Sequence, residues 1–301
     1  MNYYNEIKNK LIDNEVYKKV KDYSKNRNDL STYYEVGKLL IKAQGGEERA
    51  KYGDNLIKEY SERLFNDTGR KYNITALKRI RQFYLVVEKG VPLAHQLTWS
   101  HYCELLPLKD INEINYYIKT TIEQCLSKRQ LRERIRNKEY QRLDDKTKLK
   151  LINKEEIDIK DNIKNPIIIK NKLDIDKEIV SEKILQRLIL EDIPLFLEEL
   201  GTGYSFIKNE YKIKLGERYN YIDLLLFNIE YNCYVVVELK VTELKKEHIG
   251  QIQIYMNYID KHIKTINQDK TIGLIICKKD NKYVIEYSSD KRILSREYEL
   301  I

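Results

Sequence analysis

Tyr234-Val235-Val236-Val237-Glu238-Leu239-Lys240-Val241 has the composition of a central strand, interrupted by a carboxylate and an ammonium two positions apart. Side chains i and i+2 of a strand point to one face, so Glu238 and Lys240 emerge together. Holding such charges in an apolar sheet costs several kcal/mol unless they are paired or bound to a metal. The preceding apolar run, Ile222-Asp223-Leu224-Leu225-Leu226, is interrupted in the same way by Asp223. Two neighbouring strands then offer two carboxylates and one lysine at one spot. That set suits a hard divalent cation, Mg²⁺ or Mn²⁺, which takes oxygen ligands, keeps several waters and is completed by phosphate oxygens. Asp223 and Glu238 would hold the metal, and Lys240 would polarise the attacking water or neutralise a developing phosphorane charge. The plainer alternative is an Asp223–Lys240 salt bridge at a sheet end with Glu238 solvated.

Outward from these runs, the periodicity reads as an α/β unit. A helix is predicted over about 176–200, with Pro194 inside it as a kink or break. Gly201-Thr202-Gly203 turns the chain into strands over 204–208 with 211–215, then 219–227 and 233–241. Ile249, Ile252, Met256, Ile259 and Ile263 recur in step on a helix over about 246–263. A buried strand over 271–278 and a strand over 283–287 complete the order α-β-β-β-α-β-β.

The first 140 residues read as consecutive short helices. Ser31 can cap one ending at Gly45-Gly46, Asp54 opens a second, and Thr75 can cap a third carrying Leu77, Ile80, Phe83, Tyr84 and Val87. A short helix spans about 99–106. Asp110 with Glu113, and Ser127 with Gln130, have the capping-box spacing. This half is expected to be an all-α or winged-helix-like unit. Residues 141–178 have no Gly, one Pro and many charges, the composition of a solvated connector. The expected organisation is therefore a helical domain over 1–145, a connector over 146–175 and an α/β domain over 176–301.

Net charge is split between the halves. Residues 1–150 hold 31 basic and 21 acidic side chains, whereas residues 151–301 hold 24 and 26. The first half is thus the one fitted to a polyanion. Arg70 to Gln82 has five basic residues and no acid, and Lys78, Arg79 and Arg81 fall off the apolar face of its helix. Lys128 to Arg142, with Arg129 and Arg132 in its first turns, has seven basic and two acidic residues. Both stretches can present phosphate contacts to DNA as a recognition helix does. A solvated face on ordinary helices is the alternative.

Mean hydropathy is −0.62 and no apolar run approaches the roughly 18 residues of a membrane helix. The first residues resemble neither a signal nor a transit peptide, so a cytoplasmic protein is expected. Cys103, Cys125, Cys233 and Cys277 stand far apart, without a CxxC, and imply reduced thiols. No phosphate-binding P-loop is present, so no nucleotide cofactor is expected.

These features together resemble the PD-(D/E)xK nuclease superfamily, and within it the YhcG-type family. The resemblance in the second half runs through Phe196 to Gly203, Tyr221 to Leu224, Tyr234 to Lys240, Gly250-Gln251 with Tyr255, Thr271 to Cys277, and Glu297 to Leu300. In the first half it includes Tyr34 to Leu40, Tyr52-Gly53-Asp54, Leu77 to Tyr84, Leu97 to Leu106 and Arg129-Gln130-Leu131. The resemblance implies a restriction-endonuclease-like αβββαβ core and a metal-dependent phosphodiesterase, with Asp223 and Glu238 on Mg²⁺ and Lys240 assisting. It adds Gln251 on the following helix as a catalytic residue, with Tyr255 one turn later. By periodicity alone both lie off the core stripe and read as surface residues. One departure stands out: the superfamily's first-helix Glu is matched here by Gln186, with Glu182, Glu191 and Glu199 as nearby substitutes.

The function expected from the sequence is therefore a Mg²⁺- or Mn²⁺-dependent DNA endonuclease with an N-terminal DNA-binding domain, with a homodimer as the form suited to double-strand cleavage. The alternatives are an inactive DNA-binding or assembly protein with a degenerate nuclease fold, or a nuclease acting on RNA or branched DNA.

Overall fold

The computed structural model describes residues 3–19, 25–46 and 54–301. The chain divides into two compact units, Met1–Tyr140 and Gln141–Ile301. Tyr52 and Gly53 of the first-half resemblance lie outside the described residues.

The first unit carries α1 (Tyr3–Lys19), α2 (Lys25–Ala43), α3 (Asp54–Thr68), α4 (Ile74–Glu88), α5 (Trp99–Leu105), α6 (Ile111–Glu123) and α7 (Lys128–Arg136). Its described residues form helices and no strand, so it is an all-α unit, and the wing of the winged-helix alternative is not found among them. Caps explain several boundaries. Asn73, not Thr75, caps α4 by accepting from Ala76 N at 2.8 Å. Asp110 caps α6, and Ser127 and Gln130 form a reciprocal capping box at α7. The α2 helix starts at Lys25, ahead of Ser31. Leu77, Ile80 and Phe83 of α4 are buried. A Cβ at Gly37 of α2 would lie 2.5 Å from the Ile80 carbonyl oxygen, so only glycine permits this crossing of α2 and α4.

The second unit contains α8 (Asp145–Asn153), β1 (Ile167–Ile169), α9 (Glu182–Glu191), α10 (Ile193–Leu200), β2 (Tyr204–Leu215), β3 (Arg218–Asn228), β4 (Cys233–Glu243), α11 (Lys246–His262), β5 (Asp269–Lys279), α12 (Lys282–Glu286) and β6 (Ile293–Leu300). The six strands form one mixed sheet, ordered β1-β6-β5-β4-β3-β2. β4, β5, β6 and β1 run parallel, whereas β2, β3 and β4 are antiparallel neighbours. Alternation along β4 feeds two cores. Val235, Val237 and Leu239 pack with α9 and α10, and Val236 packs with Ile252, Met256 and Ile259 of α11. Helices on both faces explain why the central strands read as near-continuous apolar runs.

Three expectations are corrected. Residues 146–175 are no solvated connector, because Ile159, Ile163, Ile167 and Ile169 are buried in the α9 and α10 core and β1 joins the sheet edge. The unit boundary accordingly falls at 140/141. The stretch expected as a strand over 283–287 is mostly the short helix α12, with Tyr283 and Tyr287 exposed, and the last strand is β6 beside β5. Residues 204–215 form one strand with a bulge between Phe206 and Lys208, not two. Pro194 does break the long helix, sitting in the first turn of α10 where its missing N–H costs nothing. Among the described residues no helix is long and apolar enough to cross a membrane.

Candidate active site

The β3–β4 ladder ends at the pair Leu224↔Val237, while β4 continues beside β5 through Lys240↔Cys277 to Glu243↔Lys279. Asp223 and the Glu238-Leu239-Lys240 segment lie just beyond the last β3–β4 pair, where the strands part. A central strand that loses its neighbour leaves backbone groups to satisfy. The carboxylate of Asp223 meets this need, its Oδ2 accepting from Leu239 N at 2.8 Å. Gln186 of α9 donates from Nε2 to the Asp223 carbonyl at 2.9 Å. One side chain from the helix and one from the strand thus fix the fork.

Glu238 is almost wholly buried, its side chain 3% exposed. Its Oε1 accepts from Lys240 Nζ at 2.8 Å. Its Oε2 is buried and has no hydrogen-bond partner. Lys240 Nζ also lies 3.4 Å from the Glu182 carboxylate at the start of α9. Three carboxylates therefore gather around one ammonium, and titration reflects it. Burial, then the charge of Asp223, push Glu238 up to about 7 against the pull of Lys240. Burial also raises Asp223, opposed by the Leu239 N–H and Lys240, with Glu182 and Glu210 adding repulsion. Lys240 is pulled down by burial, but the hydrogen bond and charge of Glu238, followed by Glu182 and Asp223, hold it above the usual lysine range. The cluster has more negative than positive charge and one oxygen without a donor.

This arrangement fits a divalent cation. Buried polar atoms are normally satisfied, so the lone Oε2 beside Asp223 marks a place for a partner of positive charge. Asp223 and Glu238 are the residues that would hold it, and among the described residues no group of three or more His, Cys, Asp or Glu is arranged to hold a metal. Two carboxylates suit Mg²⁺, which keeps several waters.

The remaining candidates sort by what they touch. Gln251 donates from Nε2 to Tyr255 Oη at 3.1 Å. Tyr255 is buried in the α11 core, contrary to its surface reading, and feels the charges of Glu238, Asp223 and Lys240. Gln251 thus approaches the cluster through Tyr255. His248, which sequence reasoning missed, is buried at the start of α11, and burial followed by Lys240 lowers its pKa. Its Nδ1 accepts from Lys245 N, the signal being a capping spacing with His in the acceptor position. Glu199 lies elsewhere: its carboxylate takes a two-pronged bond from Arg142 and a third from Ile168 N at 2.9 Å. Glu191 is on the surface, 4.0 Å from Arg187.

Of the basic candidates in the first unit, Arg79 and Arg129 are exposed. Lys78 is half-buried, and Arg81 donates to Gln44 Oε1 at 3.2 Å. Arg132 is held by Glu104 through two bonds of 2.9 and 2.8 Å, with Lys128 also 3.4 Å from Glu104. Arg81, expected to be free, and Arg132 thus each have a side-chain partner. Trp99 and Tyr102 pack around Tyr33 and Phe83.

Both units of the chain match known domain families. Residues 160–301 match the YhcG PDDEXK nuclease domain, and residues 9–142 match the DUF1016 N-terminal domain. The chain is 26% identical to the protein named "Putative nuclease YhcG" of Escherichia coli (strain K12), over 90% of this chain and 83% of that protein. A repair endonuclease from Pyrococcus abyssi covers 40% of this chain and 47% of its own, at 16% identity and a TM-score of 0.28. An EndoMS complex with double-stranded DNA covers 40% and 44%, at 18% identity and the same TM-score. Likeness at that score carries no argument, and the two domain matches stand without it. Asp223, Glu238, Lys240 and Gln251 all fall within the residues that match the nuclease domain, and the chain carries a match to the DUF1016 N-terminal domain followed by a match to the YhcG PDDEXK nuclease domain.

Proposed function

We propose that this protein is a divalent-metal-dependent endonuclease that hydrolyses phosphodiester bonds in DNA. The observation that carries the reading is the buried, partnerless Oε2 of Glu238 beside Asp223 at a strand fork. A bound Mg²⁺ or Mn²⁺ would supply Lewis acidity at the phosphate and lower the pKa of a coordinated water. The chain's own residues do the positioning. The Leu239 N–H fixes one oxygen of Asp223 and leaves the other to serve as a ligand. Burial keeps water from competing for Glu238. Lys240, kept protonated by its carboxylate neighbours, is the cation that orients the attacking water or neutralises charge on the pentavalent phosphorus.

Gln186 in place of an acid is compatible with this chemistry. It supports the backbone of Asp223, and Glu182, one helical turn earlier, brings a carboxylate to Lys240. The helical unit supplies affinity through its excess of basic residues, with Arg79 and Arg129 outermost. The test is cleavage of supercoiled plasmid with Mg²⁺ or Mn²⁺. Wild type should nick or linearise it, and Asp223→Asn, Glu238→Gln and Lys240→Ala should not while remaining folded. Equal behaviour of all four proteins would instead favour a binding protein with an inert nuclease fold.

A further inference from the structure

The β2–β3 hairpin extends beyond the body of the sheet. β3 pairs with β4 only over Leu224 to Asn228, yet it pairs with β2 from Arg218 onward. The outer part of the hairpin is therefore a two-stranded arm without β4 beside it. Exposure alternates along it. Ile213 and Ile222 are buried against the α11 core, whereas Lys212, Lys214, Tyr219 and Tyr221 are exposed. Register sets Lys214 opposite Tyr219 and Lys212 opposite Tyr221. The outward face is thus a small patch with two lysines on one strand and two tyrosines on the other.

Two features of this patch call for a ligand. Tyr219 and Tyr221 are 55% and 52% exposed, large aromatic residues left about half in solvent. Lysines on β2 would blunt an edge strand against mispairing, but exposed tyrosines on β3 serve no such purpose. The second feature is position. Tyr219, Tyr221 and Asp223 are spaced two apart on one strand, about 7 Å per step, so the aromatic row leads to the candidate metal-binding carboxylate. Lys212 Nζ already lies 3.8 Å over the Tyr219 ring, which places a cation beside an aromatic face.

We infer that this face is a platform for an unpaired nucleic-acid strand, an inference that rests on the nuclease reading of the neighbouring site. Bases stack on Tyr219 and Tyr221 while Lys212 and Lys214 meet phosphates, the combination by which single strands are held without sequence preference. Paired bases in a duplex keep their faces to themselves. The preferred substrate is therefore one with a single-stranded stretch at the reacting phosphate.

The test is fluorescence anisotropy of the full chain, without divalent metal, on labelled oligo-dT, oligo-U and a matched duplex. The Tyr219→Ala/Tyr221→Ala double variant should bind both unpaired strands at least about tenfold more weakly and leave duplex affinity within about twofold. Tyr219→Phe/Tyr221→Phe, which keeps the rings, should bind like wild type. Lys212→Ala/Lys214→Ala should reduce the salt dependence of single-strand binding by roughly one to two charges. Unchanged single-strand affinity in the alanine double variant, or equal losses on strand and duplex, would overturn the platform. Plasmid cleavage in the same proteins separates the two claims. If Asp223→Asn abolishes cutting and the tyrosine variant has wild-type single-strand affinity, only the platform fails. If wild type cuts nothing and the tyrosine variant still loses single-strand affinity, the nuclease reading fails and the binding face remains.

Discussion

The second unit buries two acid–base pairs, and they differ in how completely they are satisfied. At Arg142–Glu199 every carboxylate oxygen has a donor, since the guanidinium contacts both and Ile168 N adds a third bond. At Glu238–Lys240 one oxygen takes the ammonium and the other has no partner, with Asp223 and Glu182 adding negative charge nearby. Both pairs occupy apolar surroundings and both involve a glutamate that sequence alone marks as notable. A closed pair of this kind holds the β1 edge to α10 and has no capacity left for a ligand. An open pair stores a demand for positive charge, which is what a metal-dependent phosphodiesterase requires before its cation arrives.

The largest expected effect breaks the open pair. Glu238→Gln or Asp223→Asn should lower plasmid cleavage by at least about 10³-fold, since each removes a ligand whose Lewis-acid contribution amounts to several kcal/mol. Breaking the closed pair should affect a different quantity. Glu199→Ala leaves Arg142 buried without its partner, and the second unit should lose about 3–5 kcal/mol in denaturant unfolding. Cleavage per folded molecule should be unchanged. A Glu199→Ala protein that is stable but inactive would erase the distinction between the pairs.

A third prediction concerns pH. The folded pKa of Glu238, about 7, lies above its ordinary value of 4.5, so the folded metal-free protein binds this proton more tightly than the unfolded chain. The contribution of Glu238 to stability should then be largest below about pH 4.5 and be lost as pH rises through 7, a difference on the order of 3 kcal/mol at most. Glu238→Gln should flatten that part of the metal-free stability profile relative to wild type. A wild-type profile that instead loses stability between pH 8 and 5, with the variant flat, would mean that Glu238 is a well-satisfied carboxylate. The smallest effect is expected at Glu182, which is half-exposed and pairs with the site at Lys240. Glu182→Gln should slow cleavage by less than about tenfold, and a loss as deep as that of Asp223→Asn would make it a ligand.

The central strands and the reacting trio were legible because a charge inside an apolar strand contradicts the local pattern, and Asp223, Glu238 and Lys240 do so at adjacent positions in the sheet. The helix break at Pro194 was legible because proline cannot donate in a helix interior. What escaped reading depends on tertiary neighbours. β1 is three residues long and gains its identity only from pairing with β6. The Tyr283-Val284-Ile285 stretch looks extended by propensity, yet it folds as α12. The sequence offered Glu182, Glu191 and Glu199 equally in place of Gln186. Only the fold separates them, because α9 directs Glu182 to Lys240 whereas Glu199 meets Arg142, 57 residues earlier in the chain. That Glu238 Oε2 has no donor could not be read from any spacing.

The central claim is that Asp223 and Glu238 hold a divalent cation, and titration calorimetry of Mn²⁺ into the full chain tests it most directly. Wild type and Glu182→Gln should each show one site that Glu238→Gln and Asp223→Asn lose. Identical heats for wild type and Glu238→Gln would contradict the account, because the partnerless oxygen would then have no cation to receive.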